Sequence, residues 1–223
     1  MIKLIATDID GTLVKDGTLI IDPEYMTVIS KLIDKGIIFT VCSGRQFSSE
    51  QKLFAPIKDK LMYITDGGTV VRTPDRILKT YPMSNELWKD MCRMVRDELP
   101  ACDYFAASPD LCYAEDGASP IFHRLRDSYG FEMREIDDLT KLENDDIIKF
   151  TVYHPDSCEE LCSPHFIPAW KDKAHVTSAG KEWVDCNRSG ISKWTAVSFL
   201  MDKYNIAPDE VCCFGDNLND TEM

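Results

Sequence analysis

Asp8 and Asp10 stand two residues apart at the end of a short apolar run, and Gly11 follows them. Two carboxylates this close suit a division of tasks. One binds a metal and attacks, while the other, freer of the metal, donates and accepts protons. In a regular strand they would point to opposite faces, so a break at Gly11 has to turn both toward one substrate. A second acidic segment, Gly215-Asp216-Asn217-Leu218-Asn219-Asp220, lies near the other end of the chain. Between the two stand Ser43-Gly44-Arg45 and Lys193, a hydroxyl and two cations of the kind that hold anions. Taken singly, each has an ordinary explanation: an exposed acidic turn, a cap residue, a surface ion-pair partner, a solvated lysine at a helix start. Their joint occurrence at the ends of apolar stretches argues for a site.

The elements that must position these groups are legible from periodicity. Residues 2–7 read as a buried strand ending at Asp8. Lys15-Asp16-Gly17 reads as a hairpin turn between residues 13–14 and 19–21. Asp22-Pro23 signals a helix start, Met26, Ile29 and Ile33 recur at helical spacing, and Gly36 closes the helix. A strand over 37–41 delivers Ser43-Gly44-Arg45, and one over 61–65 stops at Asp66-Gly67-Gly68. Ser192 caps a helix with Lys193 near its start and Trp194, Val197, Leu200 and Met201 as its apolar side. A last strand over 210–214 ends at the second acidic loop. Strand, helix and parallel strand in this order predict an α/β fold with a parallel-sheet core, whose strand tips are where open sheets bind ligands.

From Tyr81 the texture changes. Leu87, Trp88, Met91, Met94 and Val95 mark an amphipathic helix, 104–107 and 111–114 a strand pair, 121–129 a second helix, and 147–153, 175–178 and 183–186 further strands. This stretch, 81–186, is expected to be an inserted α+β domain, with core segments 1–80 and 187–223 on either side. Trp88, Trp170 and Trp183 suit its core, and Asp185, Asn187 and Arg188 are the candidates for contacts to a substrate.

Composition narrows the class. With 223 residues, 44% of them hydrophobic, the chain can bury a real core. A net charge of -13 disfavours nucleic acid as a partner. No run approaches the roughly 20 apolar residues of a membrane span, and the first residues lack the length and cleavage site of a signal peptide. Nine cysteines without framework spacing fit reduced thiols, so a cytoplasmic setting is expected. No feature of the sequence sets an oligomeric state.

Asp8-Ile9-Asp10-Gly11-Thr12-Leu13 resembles motif I of the haloacid dehalogenase superfamily of phosphatases. The other motifs follow in order. Ser43 resembles the second, with Ser43-Gly44-Arg45 similar to the form in the Cof-type subfamily; Lys193 resembles the third; 215–220 resembles the fourth. The resemblance covers almost the whole chain and implies a Rossmann-like core with a large α/β cap inserted between Ser43 and Lys193. It also implies roles: Asp8 as nucleophile, Asp10 as acid and base, the Asp216 side chain and the Asp10 carbonyl on magnesium, and Asn219 or Asp220 supporting that site.

Physical chemistry agrees with those roles. A phosphate monoester repels a carboxylate nucleophile, so attack by Asp8 needs a cation on the phosphoryl oxygens. Asp8 and Asp216 are hard oxygen ligands that suit Mg2+. Lys193, Ser43, Arg45 and amides after Gly44 would hold the remaining oxygens. A small phosphorylated metabolite is the expected partner: a sugar phosphate, a nucleotide or a phosphorylated cofactor. A sugar phosphomutase and a non-catalytic ligand-binding protein of the same fold are the rival readings. A calcium loop starting at Asp8 fails, since its glycine is fourth and its twelfth residue is Leu19. His154, Cys158, Cys162 and His165 have the spacing of a zinc set, but Pro155 and Pro164 interrupt it. Two departures stand out: Trp194 where the subfamily commonly has glycine, and Asp66 where it often has asparagine. The fourth motif would lead into further βα elements, while the chain stops at Met223, so the expectation is a fragment or a shortened homologue.

Overall fold

A computed structural model of the chain describes all residues except 16–18, 144–145 and 218–219. In chain order the strands and helices are β1 (Leu4–Thr7), α1 (Pro23–Asp34), β2 (Ile38–Cys42), α2 (Phe47–Leu53), β3 (Met62–Thr65), β4 (Val70–Arg72), β5 (Ile77–Thr80), α3 (Asn85–Glu98), β6 (Asp103–Ala107) and β7 (Cys112–Ala114). There follow α4 (Pro120–His123), β8 (Met133–Glu135), β9 (Lys149–Tyr153), α5 (Cys158–Leu161), α6 (Ser163–Trp170), β10 (Ala174–Ser178), β11 (Trp183–Arg188), α7 (Lys193–Tyr204) and β12 (Val211–Phe214). They form two compact units, one of residues 1–80 with 191–223 and one of residues 81–190.

The first unit is a Rossmann-like α/β layer structure. Its sheet has the order β12-β1-β2-β3-β4-β5. The first four strands run parallel, with Leu4 opposite both Val211 and Ile38. Strands β4 and β5 turn back antiparallel and extend the sheet beyond the expected parallel core. Both faces are covered, which is why the parallel strands read as unbroken apolar runs. Ile5, Phe39, Val41 and Tyr63 pack with Ile29, Phe47 and Phe54 on one face. Leu4, Ala6, Cys42 and Ile64 pack with Ala196, Val197 and Leu200 of α7 on the other.

Local signals explain the ends. The Asp22 carboxylate accepts from the Glu24 amide at 2.8 Å, and Pro23 supplies the preset first turn of α1. The hairpin expected around Lys15 is not built as a strand pair by the described residues. Instead 9–14 curl into a turn in which Gly11 donates to the Val14 carbonyl at 2.9 Å, and 16–17 lie outside the described residues.

The second unit has a six-stranded sheet of order β10-β11-β9-β6-β7-β8, antiparallel except for the β7–β8 pair. One face buries Ala106, Phe150, Val152, Val184 and Cys186 against Trp88, Met91 and Val95 of α3 and Phe166 and Trp170 of α6. Trp183 packs on Tyr153, ring centroids 4.5 Å apart, at the other face. The helix expected over 121–129 is α4 followed by wider π-helical turns as far as Tyr129, where Gly130 ends it with φ +79°. The pairing of β11 continues past Cys186, with Asn187 opposite Lys149 and Arg188 opposite Ala174, so this unit runs to Gly190. The run bearing the zinc-like spacing splits into α5 and α6, and the His154 Nδ1 accepts from the amides of Asp156 and Ser157. Its four side chains therefore do not share one helix face. All nine cysteines are free thiols. Among the described residues no helix is long and apolar enough to cross a membrane.

Candidate active site

Parallel pairing of β12, β1, β2 and β3 puts their C-terminal tips at one edge of the first sheet, and the expected residues follow those tips. Asp8 continues from β1 and its amide donates to the Phe214 carbonyl at 2.9 Å, which ties the first tip to the last. Its carboxylate is buried at 6% exposure and accepts from the Lys193 ammonium at 2.5 Å. The same ammonium donates to Asp220 Oδ1 at 2.6 Å. Lys193 is itself buried, and an unpaired charge there would be strongly disfavoured, so the two carboxylates are what make its position tenable.

The electrostatics follow from this burial. Loss of solvent pushes the Asp8 carboxyl up to about 6 even though Lys193 pulls the other way. Burial works against the charge on Lys193, but the nearby Cys42, Asp8 and Asp220 outweigh it and hold the ammonium above its ordinary value. Lys193 stays protonated, and Asp8 titrates closer to neutrality than an ordinary aspartate.

Lys193 is placed by the start of α7. Ser192 occupies the N-cap position, and its amide donates to Thr195 Oγ1 at 3.3 Å. The backbone of Ser192 also lies against Gly68, where φ is +101° and a Cβ would stand 2.3 Å from the Ser192 carbonyl oxygen. Only glycine fits, so the turn after β3 fixes the height of the lysine. Trp194, the departure from the subfamily pattern, is exposed rather than on the apolar side of α7, where Val197, Leu200 and Met201 pack.

Gly11 has the same two constraints, a φ of +87° and a Cβ position 2.1 Å from Asp216 Oδ2. Asp216 can therefore approach the loop after β1, where Thr12 Oγ1 donates to its Oδ1 at 3.2 Å. Oxygens of Asp8, Asp216 and Asp220 lie within 4.8 Å of one another. Three hard carboxylate donors at that spacing fit a magnesium-sized cation. Asp220 does more than support the site: besides holding Lys193, its Oδ2 accepts from the amides of Asp216 and Asn217 and so staples its own loop. Asn219 lies outside the described residues.

Asp10 is gripped by Arg45. The guanidinium donates from Nε to Oδ2 at 2.8 Å and from a terminal nitrogen to Oδ1 at 2.6 Å, a two-point fork that fixes the carboxylate plane. Arg45 is buried and Asp10 half-exposed, so the arginine expected to bind phosphate here orients the second carboxylate. Ser43 Oγ accepts from the Arg45 amide at 2.9 Å and is hydrogen-bonded to Glu50 Oε1 at 3.0 Å. Gly44 makes the bend between them, and α2 begins only at Phe47, beyond Gln46. Asp66, the other departure, is buried with φ +51° and accepts from Thr65 Oγ1 at 2.8 Å.

Residues 5–223 match the family model of the haloacid dehalogenase-like hydrolases. The chain belongs to that family. This hydrolase is 26% identical, over 100% of its own length and 81% of the relative's, to the 5-amino-6-(5-phospho-D-ribitylamino)uracil phosphatase YbjI of Escherichia coli. It is 25% identical to the YcsE phosphatase of Bacillus subtilis with the same named substrate, over 100% of this chain and 80% of that one. A crystal structure from Eubacterium rectale is 78% identical and superposes with a TM-score of 0.86, covering 98% of this chain and 83% of its own.

The remaining candidates lie in the hydrolase's second unit. Asp185 accepts from Thr151 Oγ1 at 2.7 Å and pairs with Lys149 at 3.6 Å. Asn187 is buried and its Oδ1 has no hydrogen-bond partner, while Arg188 is exposed. Sequence reasoning missed Lys149, which pairing in β9 and β11 sets directly opposite Asn187. It also missed Glu50, whose signal was an acid three residues after Phe47 and four before Phe54, on the apolar side of a short helix.

Proposed function

We propose that this haloacid dehalogenase-type phosphatase hydrolyses the phosphate monoester of a small metabolite through an aspartyl-phosphate on Asp8. The observation that carries the reading is the gathering of Asp8, Asp216 and Asp220 from opposite ends of the chain, two of them, Asp8 and Asp220, paired to one buried ammonium, Lys193. Such a group of acids with one lysine has no evident use in stability, since a buried ionic cluster seldom outperforms apolar packing. It suits an anionic substrate that arrives with a cation.

Asp8 attacks phosphorus and the organic alkoxide leaves. Asp10, held in plane by the Arg45 fork, gives that alkoxide its proton, then takes one from the water that opens the acyl phosphate, returning Asp8 and releasing phosphate. Lys193 and Ser43 hold phosphoryl oxygens. Magnesium, held by the Asp8 and Asp216 carboxylates with the Asp10 carbonyl and with Asp220 and Asn219 in support, would supply the positive charge that lets one anion attack another. Lys149, Asp185 and Asn187 on the polar face of the second unit, with Arg188 at the end of β11, are proposed to read the organic part of the ester. The named substrate of the two phosphatase relatives makes phosphorylated ribitylaminouracil the first compound to try, beside sugar phosphates, nucleotides and phosphorylated cofactors. The free thiols suit a reducing, cytoplasmic setting.

The test is phosphate release from a panel of such esters with and without Mg2+, with Asp8→Asn as control. Free phosphate that depends on both the cation and Asp8 is the expected result. An isomerised sugar phosphate without phosphate release would indicate a mutase, and unchanged turnover by Asp8→Asn would end the role of Asp8.

A further inference from the structure

Glu50 is fully buried on α2 and has no part in the chemistry described so far. Its Oε1 is 3.0 Å from Ser43 Oγ, a contact in which the serine hydroxyl donates to an ionised Glu50 and accepts from a protonated one, and its Oε2 has no hydrogen-bond partner. Burial pushes this carboxyl well above its ordinary value; the Ser43 hydroxyl works against that shift, the Asp66 charge adds to it, and the charges of Arg45 and Lys193 offset part of it. A bare, water-excluded oxygen is likewise far more tolerable on a neutral acid than on an anion. The buried position and the bare oxygen both favour the acid form of Glu50.

We propose that Glu50 is a positioning residue, whose carboxyl turns the Ser43 hydroxyl so that its proton faces a phosphate oxygen. The inference rests on Ser43 being a phosphate ligand. A serine hydroxyl has one proton to donate and two lone pairs to accept with. The Arg45 amide fills one lone pair at 2.9 Å. An acid-form Glu50 donates from Oε1 into the other, and the serine proton is left with one direction, outward to the anion. An ionised Glu50 would do the reverse. It would take the serine proton for itself and leave only oxygen lone pairs facing the phosphate, which repels them. The carboxyl thus decides whether Ser43 attracts or repels the substrate without touching it.

The experiment measures KM for p-nitrophenyl phosphate and the inhibition constant of inorganic phosphate, both with Mg2+, in Glu50→Met, Glu50→Gln, Ser43→Ala and the Ser43→Ala/Glu50→Met double variant. Glu50→Met is expected to raise both constants about tenfold, the size of one lost hydrogen bond, with kcat changed less. Glu50→Gln, whose amide restores a neutral donor, is expected to recover both to within about threefold of the parent. In the Ser43→Ala background Glu50→Met is expected to add nothing, because no hydroxyl remains to orient. Equal losses with and without the Ser43 hydroxyl would reduce Glu50 to a packing residue and overturn the proposal. Should Glu50→Met not fold, Glu50→Gln decides: retained phosphate affinity supports the role, and a tenfold loss in the folded variant overturns it. Ser43→Ala with unchanged phosphate affinity would remove the phosphate-binding role of Ser43 itself and the role of Glu50 with it.

Discussion

The two sheets present polar groups in different ways. In the first unit the candidate site residues lie beyond strand ends, because parallel strands bring every C-terminus to one edge and so collect Asp8, Ser43 and Asp216 from distant parts of the chain. In the second unit the polar groups lie within strands: Lys149 and Thr151 alternate on β9 opposite Asn187 and Asp185 on β11, since antiparallel neighbours share a face at every second residue. Tips favour flexible backbone, glycines and close approach to a reacting atom. Faces favour fixed spacing. Chemistry at the tips and recognition on the face is the division this difference suggests, and several experiments can sharpen or break it.

The largest effect is expected from Asp8→Asn, a loss on the order of 10⁴-fold or more in kcat with the fold retained, read by steady-state phosphate release and circular dichroism. Asp10→Asn should follow with a loss of about 10²–10⁴-fold, as for removal of one general acid and base. Lys193→Met is a test of energetics rather than rate alone: it strands Asp8 and Asp220 without their cation, and should lower stability by about 3 kcal/mol in a denaturant titration without added metal. An unchanged midpoint would mean the buried triad is not held by its charge.

Smaller effects belong to the face. Asn187→Ala removes a carbonyl with no present partner, so it should cost little stability and raise KM for the physiological ester about tenfold, with kcat nearly constant, the pattern of lost uniform binding. A fall in kcat as deep as that of Asp10→Asn would show that the face also serves the chemistry. Smallest of all is Trp194→Ala: the side chain is exposed, and the change should stay within about 0.5 kcal/mol and leave phosphate affinity alone.

The sequence by itself determined which candidate residues stand at strand ends and in what order. Asp8-x-Asp10 after an apolar run, Ser43 and Asp216 after two others, and Lys193 behind a capped helix start are local patterns, and each needs only a few neighbouring residues to be read. The same holds for α1, whose cap, proline and closing glycine lie within its own span. What the tertiary structure alone decided is pairing across distance. That Arg45 grips Asp10, that Asp220 shares Lys193 with Asp8, and that Glu50 lies against Ser43 depend on which strand tips become neighbours and on how deep each side chain lies. Burial sets those partnerships, because a charge removed from water must find its counterpart wherever the fold brings one, and no spacing along the chain records where that is.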